Sequence, residues 1–155
     1  MARAGAKGAI TADPLDFTGW PEPGWERIVR FAEQYVMTPK GVGAGDPFIL
    51  RPWQVELVQG LFPTVGRPRT GLVSLPRGNG KTTLAALLAL YELFGSETIS
   101  PSVMVVAGTE QVARHTLKIA SRMIELSPEL AARAHLLQNA IKVPHTGGEL
   151  VTAAS

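Results

Sequence analysis

An α/β fold, a parallel sheet with flanking helices, is what this 155-residue sequence predicts. Two observations carry the prediction. A short apolar run, Gly71-Leu72-Val73-Ser74-Leu75, leads through a glycine-bearing loop into a long apolar helix former, Thr83 to Phe94. A second apolar run, Ser102-Val103-Met104-Val105-Val106-Ala107, turns at Gly108-Thr109 into another helical segment ending near Leu126. Strand, helix, strand, helix implies parallel strands joined by right-handed crossovers. A continuously apolar strand is expected to be covered on both faces.

The chain is one domain long, with residues 1–20 expected as a flexible lead-in and 21–155 as the folded unit. An apolar content of 45% and a charged content of 18% describe a globular chain able to bury a core. The Leu84–Leu90 run is bounded by Lys81 and Glu92, which marks a buried helix and not a membrane span. Cations near the N-terminus have no apolar segment behind them, so no secretory signal is read there. The absence of cysteine excludes disulfides, thiol catalysis and cysteine zinc sites, and fits a cytoplasmic location. A net charge of +2 tolerates a nucleic-acid partner without demanding one. Arg67 and Arg69, with Arg77 close behind, are open to two readings, a solvated loop or a polyanion contact.

Taken in order, Trp20-Pro21-Glu22-Pro23-Gly24 breaks the chain ahead of a helix from Trp25 to Val36, whose apolar residues recur at helical spacing. Thr38 to Gly45 is a glycine-rich loop. Pro52 suits the first turn of a helix running to about Phe62 and closed by Pro63. The helix from Thr83 to Phe94 is apolar nearly all round, so it is expected to be buried against the sheet, with Gly95 ending it. The helix after Thr109 turns Val112, Ala113, Thr116, Leu117, Ala120, Met123 and Ile124 inward. Ser127-Pro128-Glu129 opens a short helix expected to reach about Leu137. Ala140–Val143 and Glu149–Ala153 flank His145-Thr146-Gly147-Gly148 as a hairpin. His115, His135 and His145 are too scattered for a metal motif, and Ser74 lies in no nucleophile pattern.

The chemistry concentrates at Leu75-Pro76-Arg77-Gly78-Asn79-Gly80-Lys81-Thr82-Thr83. Strand, glycine-bearing loop, Lys-Thr and helix is the order a phosphate-binding loop requires. Gly78 and Gly80 can take backbone angles closed to other residues and leave the loop amides open to a phosphate. A helix starting at Lys81 turns its unpaired N–H groups and positive dipole end toward the same anion. Lys81 would reach the β- and γ-phosphates, and the Thr82 hydroxyl would hold Mg²⁺. The general pattern places glycine at position 75, where this chain has leucine, so a plain turn beside a cation is the competing reading. Upstream, Gln54 offers the donor and acceptor that an adenine edge needs, and Phe48 or Trp53 offers a ring for the base face; a purely structural Gln–Trp pair is the alternative.

Together these residues resemble the large subunit of tailed-phage terminases, the ATP-driven motors that package DNA. The likeness rests on the Phe48-x-Leu50-x-Pro52-Trp53-Gln54 block, the Arg77-x-x-Gly80-Lys81-Thr82 loop and its helix, the second strand, and Thr109-x-Gln111-Val112-Ala113, across about Pro47 to Ala153. In that family the first loop glycine is often absent and an arginine sits inside the loop, which accommodates Leu75 and Arg77. The resemblance implies a P-loop NTPase-like domain using ATP and Mg²⁺. It implies a nucleotide site of Trp53, Gln54, Arg77, Gly78, Asn79, Gly80, Lys81, Thr82 and Thr83, with Arg77 at the γ-phosphate and Arg77 and Lys81 as the catalytic cations. It also implies double-stranded viral DNA, the portal protein and the terminase small subunit as partners, homo-oligomerisation of the full-length protein, and work in the bacterial host cytoplasm at the procapsid portal.

One requirement of ATP hydrolysis is not met. A carboxylate for Mg²⁺ belongs at the end of another apolar strand, usually beside a glutamate that orients water. Asp13, Asp16 and Asp46 all precede the loop, and none of the later glutamates ends an apolar strand. The expectation is a chain truncated before the Walker B strand, holding the nucleotide-binding half and lacking the hydrolytic half and the nuclease. The alternatives are a helicase-type P-loop fragment and a nucleotide- or DNA-binding remnant without catalysis.

Overall fold

Helices form where apolar residues recur at helical spacing in the sequence. The computed structural model describes residues 9–155, and the part of the expected lead-in over 1–8 lies outside the described residues. Helix α1 (Trp25–Tyr35) buries Ile28, Phe31, Ala32 and Tyr35, the i, i+3, i+4, i+7 stripe of an amphipathic helix. Helix α2 (Pro52–Leu61) has its proline in the first turn, where a missing N–H costs nothing. Helix α3 (Lys81–Phe94) buries eight residues from Leu84 to Phe94, spread around more than one face. Its central position between α1, α4 and the sheet explains that composition.

The second half of the chain builds the sheet. Strand β1 (Ser102–Ala107) leads into α4 (Glu110–Leu126) and a single turn, α5 (Pro128–Ala131). Strands β2 (His135–Leu136), β3 (Ala140–Val143) and β4 (Gly148–Ala154) follow. The order across the sheet is β1-β4-β3-β2. β4 runs parallel to β1, with Val103 opposite Leu150 and Val105 opposite Thr152. β3 and β2 are antiparallel to their neighbours. The α/β class holds, but the sheet is mixed and not wholly parallel. Pro144–Gly147 is too short a connection for anything but a hairpin, whereas the route through α4 and α5 is long enough for a parallel return.

Three further expectations are corrected. Gly71–Leu75 is not a strand: it forms no ladder among the described residues, and Leu72 is 97% exposed. A strand exists only through a partner's hydrogen bonds, and every strand of this sheet lies after α3. β1 is covered on one face only. Val103 and Val105 pack on the core, while Met104 and Val106 point away and are 59% and 56% exposed. The helix expected to reach Leu137 stops at Ala131, because His135 and Leu136 pair with Lys142 and Ile141 instead. Ser127 does cap it, its Oγ accepting from the Leu130 amide at 3.4 Å.

The described part of the lead-in is docked and not loose. Trp20 stacks on Tyr35 with ring centroids 5.7 Å apart, and Phe17 meets Trp20 edge-on at 5.0 Å. The buried Arg27 guanidinium donates to the Pro21 carbonyl at 2.6 Å and to the Gly95 carbonyl at 3.2 Å. That side chain ties the entry segment to the end of α3.

Candidate nucleotide-binding site

The loop before α3 is shaped by its two glycines. Gly78 and Gly80 sit at φ +86° and +73°, in the left-handed region that a Cβ disfavours. Nothing lies within 4 Å of where either Cβ would be, so backbone angle and not crowding requires glycine. The Asn79 amide donates to the Pro76 carbonyl at 3.1 Å and closes the turn. The α3 ladder begins with Leu84 N–H donating to Gly80 at 2.9 Å. The amides of Lys81, Thr82 and Thr83 therefore have no acceptor within the helix.

Two cavities meet at this loop. The first, about 330 Å³, lies between it and the start of α2, and is lined by Phe48, Ile49, Arg51, Trp53 and Gln54 with Thr38 and Val42. The second, about 360 Å³, is lined by Lys40, Arg77, Lys81, Thr82, His115 and Ile119. Gly78, Asn79, Gly80 and Thr83 line both. Each volume reaches the size of a small-molecule site, roughly 300–1,000 Å³. All the candidate residues are thus brought together. Trp53 and Gln54 fall in the first cavity, Arg77, Lys81 and Thr82 in the second, and the remainder in the shared wall.

The side chains are held in specific ways. Gln54 is 8% exposed, and its Oε1 accepts from the Arg51 amide at 2.8 Å. One carbonyl lone pair and both amide hydrogens stay available. Lys81 Nζ donates to the Leu75 carbonyl at 2.7 Å, folding the amine back over its own loop. The 71–75 segment leaves an apolar gap of about 220 Å³ against α2 and α3, lined by Leu57, Leu61, Val73, Leu75, Leu84 and Leu88.

No carboxylate lines either cavity, and among the described residues no group of three or more His, Asp or Glu could hold a metal ion. The donor set fits a polyanion. It fits Mg²⁺ only as a companion of that anion, since Thr82 supplies one hydroxyl oxygen and a hard cation needs about six oxygens. The sequence reading missed Lys40 and His115. Both are far from the loop in the chain, and no local pattern connects them to it. A separate cavity of about 360 Å³, bordered by Phe17, Phe94, Glu97, Arg133 and His145, lies among other residues and shares none with the loop.

Residues 52–153 match the family model of the terminase large subunit, ATPase domain. The chain belongs to this family. It is 28% identical over 120 residues to the terminase large subunit of Enterobacteria phage HK97, covering 76% of this chain and 24% of that protein. The crystal structure of the HK97 bacteriophage large terminase superposes with a TM-score of 0.75 at 23% identity, over 84% of this chain and 27% of that one. This terminase chain therefore spans about a quarter of the length of the relatives it matches. The family match favours the terminase reading over a helicase-type fragment or a remnant.

Proposed function

We propose that residues 21–155 act as the nucleotide-binding part of a terminase motor that drives viral DNA into a procapsid, with ATP and Mg²⁺ as ligands. The observation that supports this is the shared wall: Gly78–Gly80 and Thr83 border both a cavity lined by Trp53 and Gln54 and a cavity lined by Lys40, Arg77 and Lys81.

In this reading Gln54 recognises adenine, its amide donating and its remaining carbonyl lone pair accepting. Trp53 or Phe48 covers the base face. The free amides of Lys81, Thr82 and Thr83 receive the phosphates, with the α3 dipole behind them. Lys81 exchanges the Leu75 carbonyl for β- and γ-phosphate oxygens, and Arg77 reaches the γ-phosphate. The Thr82 hydroxyl would be one ligand for Mg²⁺, which would supply charge neutralisation at the phosphates. In the full-length protein, double-stranded DNA, the portal protein and the small subunit are the proposed partners, in an oligomer working in the host cytoplasm. None of the described helices is long and apolar enough to cross a membrane.

The test is thermal. MgATP at 100 times its Kd should stabilise the chain by about 2.7 kcal/mol, and Lys81→Ala should remove most of that shift. If the variant melts with the same ATP-dependent gain as the parent, the phosphate-loop assignment is wrong.

A further inference from the structure

We propose that Lys40 is a third polyphosphate-binding cation of this site, beside Arg77 and Lys81, delivered from the Thr38–Asp46 loop and not from the loop-helix unit. The inference rests on the nucleotide reading above and adds a residue outside the family-matched span of 52–153. The loop is pinned at its base. Thr38 N–H donates to Asp46 at 2.8 Å, Gly45 N–H to Thr38 at 2.9 Å, and Phe48 N–H to Val36 at 2.9 Å, with Met37 and Pro47 paired as a β-bridge. From that base Thr38 and Val42 line the first cavity while Lys40 lines the second. One short loop thus borders both the base end and the phosphate end.

The charge pattern says what Lys40 is for. The second cavity gathers Lys40, Arg77 and Lys81 with no carboxylate in its lining, and among the described residues Lys40 forms no ion pair. Like charges collected without a counter-ion repel one another, and a bound polyanion offsets that repulsion by attracting each of them. An exposed lysine also keeps the mobile point charge suited to a phosphate. The ligand class is a nucleoside polyphosphate. The contribution of Lys40 should grow with the number of phosphates and vanish for the bare nucleoside.

The experiment is calorimetric titration of the 155-residue chain with MgATP, MgADP and adenosine, using the parent, Lys40→Ala, Lys40→Arg and Lys81→Ala. Expected is about tenfold weaker ATP binding in Lys40→Ala, a smaller loss for ADP, unchanged adenosine affinity, and recovery to near the parent value in Lys40→Arg. If Lys81→Ala weakens ATP while Lys40→Ala does not, this inference fails and the site reading stands. If Lys40→Ala weakens adenosine as much as ATP, Lys40 acts by shaping its loop and the inference also fails. A parent chain whose ATP affinity is absent or indifferent to Lys81→Ala overturns the site reading, and the role of Lys40 with it.

Discussion

Gln54 is held by one end of its amide and borders a cavity. Its Oε1 accepts from the Arg51 backbone at 2.8 Å, which fixes the side chain at the start of α2 and points the rest of the amide at the first cavity. Gln54→Ala should therefore lower ATP affinity about tenfold and erase the preference for ATP over GTP, because a site built to hydrogen-bond one base edge rejects the wrong edge through unpaired polar groups. Competition of GTP against ATP on the parent and the variant measures this, and an unchanged preference would remove Gln54 from base recognition. At this scale much was legible in advance. Gly78 and Gly80 take the positive φ that their residue type allows, and Lys81 and Thr82 open the helix where the spacing predicts it. Lys40 was not legible, because only the folding of its loop brings it to residues some forty positions later.

The long helices were read well because their signal is internal, whereas the short helix after Ser127 was read too long. The stripe of α1 and the all-round apolarity of α3 are properties of the segment itself. Strands depend on partners. Gly71–Leu75 has the composition of a strand but pairs with none of the described strands, while His135–Leu136 has little strand character and pairs because β3 offers an edge. A prediction belongs to α3. Tyr91, 1% exposed, accepts at its hydroxyl from the Gly24 amide at 3.2 Å and meets Phe31 and Phe62 edge-on. Burial pushes its phenol above the ordinary value of 10.0, so the fold favours the neutral form. The unfolded chain then loses its proton first as pH rises, and the stability is fully present below pH 10 and declines above it. Tyr91→Phe should cost about 1–2 kcal/mol at neutral pH by leaving a buried amide unpaired. It should also flatten the decline above pH 10, leaving the part due to Tyr35, whose phenol burial likewise raises. Denaturant melts at both pH values read the two effects, and a variant as stable as the parent at neutral pH would show that the Gly24 contact contributes nothing.

At the scale of the whole molecule, the α/β class followed from the alternation of segments, but the sheet's order did not. Which strands neighbour β1 is decided by the lengths of the connections and by which edges remain free, and β1 keeps one free edge and one uncovered face carrying Met104 and Val106. The same global view separates binding from hydrolysis. Cations, a hydroxyl and the glycine loop line one cavity, which supplies the donors that the proposed triphosphate site needs. Hydrolysis asks in addition for a carboxylate to share the metal and one to orient water, and the cavity lining includes neither. The chain by itself is therefore expected to bind MgATP and release phosphate far more slowly than about 1 per second, the low end of ordinary enzyme turnover. Phosphate release measured at an ATP concentration shown by calorimetry to saturate the site decides the point. Turnover near 1 per second that disappears in Lys81→Ala would mean that one of the glutamates, Glu110 at the start of α4 being the first to substitute, reaches the phosphates when nucleotide is bound.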